Sequence, residues 1–196
     1  MKTDVISVSS RGEGLEKVLQ QVEKVAAYKD LSPKNTLHLR LLAEELVGMM
    51  RSITGETKGE FWMEDDKNEF RLHLRTWTSM DFEKREQLLA ASTSGKNEAA
   101  RGLMGRLRNF FEQGGEASSL YMYGPDMGEF SGNPALGLEW SMSAYQRQLE
   151  AASKSDEKAR EMWDELEKSV VTHVADEIKV SIRGEQAEMV IYKKMA

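Results

Sequence analysis

From Phe70 to Thr76 the chain alternates without a break: Phe70, Leu72 and Leu74 fall on one parity, Arg71, His73 and Arg75 on the other. Successive side chains of a strand point to opposite faces, so this run is a strand with one apolar and one wet face. An apolar strand face must be covered, and a lone strand has unpaired backbone groups on both sides. The rest of the chain therefore has to supply partner strands and a cover for one face. Upstream, Glu60–Glu64 (EFWME) reads as the partner strand and Asp65–Asn68 (DDKN) as the turn between them.

Amphipathic helices are available as the cover. Leu15, Val18, Leu19, Val22, Val25 and Ala26 recur at three- and four-residue steps, which predicts a helix over 14–30. Ser32-Pro33 then gives a start signal, a capping hydroxyl followed by the residue best suited to the first helical position. The helix it opens should run over 33–54, with Leu39, Leu42, Leu46, Met49, Met50 and Ile53 as its stripe. Asp81 caps a short helix to about Ala91, 92–96 is a loop, and a further helix spans 97–113.

Further strands are expected at 4–8 and in a closing hairpin at 177–183 and 187–192. Residues 114–134 hold two of the three prolines and several aromatics, an irregular segment too apolar for a free linker. Leu136, Leu138, Trp140 and Met142 alternate before Tyr145 and Leu149 continue at helical spacing, a short strand passing into a helix. Asp156 opens a charged helix to about Val174 that turns Met162, Trp163, Leu166 and Val170 inward. The whole is expected to be a single α+β domain over 1–196: a two-layer sandwich, a mostly antiparallel sheet with helices on one face, and a helical insertion at 114–175 before the final hairpin.

Composition excludes several classes. With no cysteine there is neither a disulfide framework nor a thiol nucleophile nor a cysteine zinc site. The net charge of −6 argues against a nucleic-acid binder, which needs a basic face. No apolar run approaches the roughly 18 residues of a membrane span, and the N-terminus lacks the apolar core of a signal peptide. A cytoplasmic protein is expected. His38, His73 and His173 show no metal-ligand spacing, so no metal site is expected.

The element order, with LRLLAEELVGMMRSI in the second helix, resembles the GHKL (histidine kinase-like) ATPases: sensor histidine kinase ATP domains, gyrase B and, nearest, the anti-sigma-factor serine kinases. The resemblance implies that the second helix carries a catalytic glutamate and, four residues later, a magnesium-binding asparagine. Glu45 takes the first position and Met49 the second; in the alternative register these are Glu44 and Gly48. A thioether gives a hard cation no oxygen. The family's Asp-x-Gly-x-Gly turn is replaced by Arg75-Thr76-Trp77-Thr78-Ser79-Met80, and its glycine-rich turn survives in part between Ser94 and Arg106. The resemblance covers 4–112 and 176–193, and 114–175 has no counterpart in it. It implies ATP or ADP as ligand without tight magnesium, and action on a protein partner.

Two sites stand out. Glu45 lies on a strip with His38, Leu41, Gly48 and Ser52 beside the apolar stripe, where a carboxylate can serve as a base. The plainer reading, a boundary glutamate solvated or paired with Arg40 or Arg51, is favoured. The second site is Ser94, Gly95, Lys96, Asn97, Arg101, Gly102 and Gly105, a loop feeding a helix start. Free amides and the helix dipole there attract an anion or nucleotide, and glycines allow close approach. Close helix packing at Gly102 and Gly105 explains the same pattern, and the residues leave both readings open. The expected function is that of a non-catalytic or weakly nucleotide-binding regulator. The alternative is an active ATP-dependent serine kinase or ATPase with displaced metal ligands.

Overall fold

The computed structural model describes residues 1–54, 58–77, 138–154, 169–183 and 186–195, together with 157, 160, 163 and 164. The helices expected at 81–91 and 97–113, and the irregular stretch 114–134, lie outside the described residues. In chain order the elements are β1 (Ile6–Ser9), α1 (Leu15–Tyr28), α2 (Pro33–Thr54), β2 (Lys58–Asp66), β3 (Glu69–Trp77), β4 (Leu138–Ser141), α3 (Met142–Ala152), α4 (Val170–Val174), β5 (Glu177–Arg183) and β6 (Gln186–Lys194). All six strands join one antiparallel sheet in the order β1-β2-β3-β6-β5-β4. The fold is α+β, and the alternating strand β3 sits near the middle of its sheet, where both its edges are paired.

Register sorts the side chains. Phe61 lies opposite Leu74, Leu74 opposite Met189, and Met189 opposite Val180; one step along, Met63, Leu72, Ile191 and Ile178 form a second row. Directly opposed residues of an antiparallel pair share a face, so these rows form one apolar surface. Every one of these residues is buried, in one cluster with Val18, Val22 and Val25 of α1 and Leu39, Leu42, Leu46 and Met50 of α2. Met142 and Leu149 of α3 and Val171 of α4 complete the cluster.

Local chemistry fixes the junctions. Ser32 Oγ accepts the backbone N–H of Asn35 at 3.3 Å, the cap that Ser32-Pro33 announces. Lys67 and Asn68 carry φ of 47° and 68°, the left-handed pair that lets a two-residue turn follow the strand twist. The turn is therefore shorter than the expected Asp65–Asn68, and Asp65 is a strand residue whose side chain is only 4% exposed. Its carboxylate is ion-paired with Lys29, just past the end of α1. Gly14 opens α1 with φ of 81°, and a Cβ there would lie 2.2 Å from the Ser7 carbonyl oxygen. At Gly59 a Cβ would meet the Met50 sulfur at 2.8 Å and the Arg75 oxygen at 2.9 Å, so the glycine lets α2 come down onto β2.

Three further differences from the sequence reading have physical causes. The short strand expected ahead of Tyr145 and Leu149 is present as β4, but it also joins the sheet as a sixth strand, with Trp140 paired to Val180 on the outer edge of β5. The helix expected over 156–174 does not run unbroken. Ser169 is extended (φ −74°, ψ 122°), and its carbonyl accepts the Thr172 hydroxyl at 2.8 Å. With Ser169 out of the helical region the backbone hydrogen-bond ladder is interrupted there, and the chain restarts as the five-residue α4. The wet face of β3 is also not fully wet, because His73 is buried there.

Gly14→Ala should lower stability by about 2 kcal/mol or more, because it adds a steric clash to the roughly 1–2 kcal/mol cost of a left-handed alanine. Gly12→Ala, at φ 90° but with nothing within 4 Å, should incur the conformational cost alone. Urea unfolding of the two variants measures the difference, and equal losses would remove the close approach from the account. Lys29→Met leaves the Asp65 carboxylate, only 4% exposed, without its closest cation and should cost about 2–4 kcal/mol, whereas Lys29→Met/Asp65→Leu should recover most of it. Thermal unfolding of the single and double variants tests this.

Candidate functional site

α2 presents two surfaces. Leu39, Leu42, Ala43, Leu46, Val47, Met49 and Met50 are buried, which leaves Leu37, Glu44, Glu45 and Gly48 exposed on the outer strip. Glu45 thus stands in solvent, and among the described residues no side chain is hydrogen-bonded or ion-paired to it. Arg40, one of its expected partners, reaches across to Glu23 on α1 instead. His38 and Leu41 lie on the same strip, half-buried. Ser94, Gly95, Lys96, Asn97, Arg101, Gly102 and Gly105 lie outside the described residues.

A polar cluster that sequence reading missed occupies the sheet face opposite the apolar one. Trp62 on β2 lies directly across from His73 on β3, and the rings stack at 4.7 Å between centroids, 11° from parallel. The Arg75 guanidinium sits 4.8 Å from the indole centroid and the Lys2 ammonium 5.0 Å from it. These neighbours help hold Trp62 at 3% exposure on a face that is otherwise half-exposed. The indole N–H donates to Glu64 Oε1 at 3.2 Å.

His73 bridges three strands. Its Nδ1 is 2.9 Å from Glu188 Oε1 on β6, and its Nε2 is 3.7 Å from Glu64 Oε2 on β2. Arg75 also reaches Glu188, at 3.6 Å, and Arg71 reaches Glu64, at 3.8 Å. The His73 hydrogen bond holds the Glu188 carboxyl below its ordinary value of 4.5; burial opposes this, and the charges of His73 and Arg75 reinforce it. Glu64 is also lowered. Burial pushes its carboxyl up, but hydrogen bonds from Lys2 and Trp62 and the charge of His73 together outweigh that.

The geometry limits the chemistry of this cluster. The two carboxylates lie at opposite nitrogens of a single imidazole, so they cannot converge on one cation. No three His, Asp or Glu side chains among the described residues are grouped to hold a metal. No hydroxyl among them is hydrogen-bonded to His73, so no nucleophile is paired with a base there. What the cluster does is tie β3 to β6 through the His73–Glu188 hydrogen bond and β3 to β2 through the longer ion pairs of His73 and Arg71 with Glu64. The parity of Arg71, His73 and Arg75 was legible in the sequence. Their partners were not, because only strand register brings Glu188 to His73 across 115 positions of chain.

Comparison of the chain with family models, curated proteins and solved structures finds no match. No helix among the described residues is long and apolar enough to cross a membrane.

Because Glu188 has a depressed pKa in the folded protein, folding favours its ionised form. The stability it contributes is fully present above its unfolded pKa of about 4.5 and is lost as pH falls through the lower folded value. Glu188→Gln should therefore cost about 1–2 kcal/mol at pH 7, with the deficit shrinking toward pH 3. Denaturant unfolding across that range gives the result, and a deficit independent of pH would show that the carboxylate charge is not what is lost.

Proposed function

We propose that the chain has a histidine kinase-like ATPase fold, two layers deep with helices on one face, and works in the cytoplasm as a regulator that docks on a protein partner. Its eroded site takes a nucleotide or another phosphate-bearing anion weakly, without tight magnesium. The observation that carries this reading is the arrangement of α2. It follows β1 and α1, precedes the β2–β3 hairpin, and packs against both β3 and the closing strand β6. In the family that the sequence resembles, this helix holds the magnesium ligand. Here Met49, four residues after Glu45, is 3% exposed and enclosed in the core, and Gly48 of the other register has no side chain to offer. A hard cation requires oxygen, and neither residue supplies it. Without a metal to neutralise the phosphates, transfer of a phosphoryl group loses its main electrostatic support.

Calorimetric titration of ATP with and without magnesium tests the reading. The expected result is weak binding that magnesium leaves nearly unchanged, with no phosphate released. A magnesium-dependent gain of about tenfold or more, which is 1.4 kcal/mol, accompanied by turnover, would instead establish the active kinase or ATPase with displaced ligands. Lys96→Ala should weaken ATP by about tenfold or more, the effect of one charge-assisted contact of about 1.5–3 kcal/mol, while the thermal midpoint of the free protein stays unchanged. If ATP, ADP and inorganic phosphate all fail to raise that midpoint, the anion site is absent.

A further inference from the structure

We draw no further inference here: the strongest candidate, the Trp62–His73 stack between Glu64 and Glu188 on the polar face of the sheet, belongs to the cluster already described and holds no converging ligand set, and for the exposed side chains of Tyr28 and Leu37 on either side of the α1–α2 turn nothing in the structure shows what covers them.

Discussion

Burial of one face of the antiparallel sheet is the interaction on which everything else in the molecule depends. Phe61, Leu72, Leu74, Met189 and Ile191 contribute fully enclosed side chains from three adjacent strands, and Leu39, Leu42 and Leu46 of α2 enter the same cluster. Fully burying each such side chain is worth about 1.5–3 kcal/mol, and together they offset the conformational entropy of ordering the chain. Two glycines set how closely chain segments approach the sheet. Gly14 lets the turn before α1 press on β1, and Gly59 makes room for Met50 beneath α2. Both are places where a side chain of any size would hold the helices away from the sheet.

The opposite face follows a different logic. There, stacking and charge do the work that apolar burial does on the other side, with charged groups paired across strands while His73 Nε2 and Arg71 Nε make no hydrogen bond. Trp62 is enclosed by the His73 ring and approached by the Arg75 and Lys2 cations, while Glu64 and Glu188 engage the two edges of the same imidazole. Such an array resists slippage, since moving β3 by one residue against β6 would separate His73 from Glu188 and turn charged groups into the core. The cluster is thus a register lock, with the chemistry of cross-strand pairs and none of the convergence that a catalytic centre requires.

How much could be read in advance differs from element to element. The stripe of α1 was legible because Val18, Val22 and Val25 repeat at the helical period, and all three are buried. The Ser32 cap and the alternation of β3 were legible for the same reason: each depends on residues within a few positions of one another. Asp65 reads as a turn residue in the sequence because Asp is common in turns. Its true role, a buried strand carboxylate facing Lys29, depends on a contact 36 residues away in the chain. The break at Ser169 is not legible locally, because helical periodicity continues through it to Val170. Glu45 reads as a boundary residue either solvated or paired with Arg40 or Arg51, and it is exposed, with Arg40 held by Glu23 on the neighbouring helix.

The sequence by itself determined the alternation of β3 and the apolar stripes of α1 and α2, because these follow from periods of two and 3.6 residues imposed by backbone geometry. The tertiary structure alone decided the strand order, the recruitment of Leu138–Ser141 as the sheet's outer strand, and the meeting of Trp62, His73 and Glu188. Those features depend on which hydrogen-bonding edges find each other, and pairing across long stretches of chain is selected by the sum of all contacts in the packed core rather than by any local run of residues.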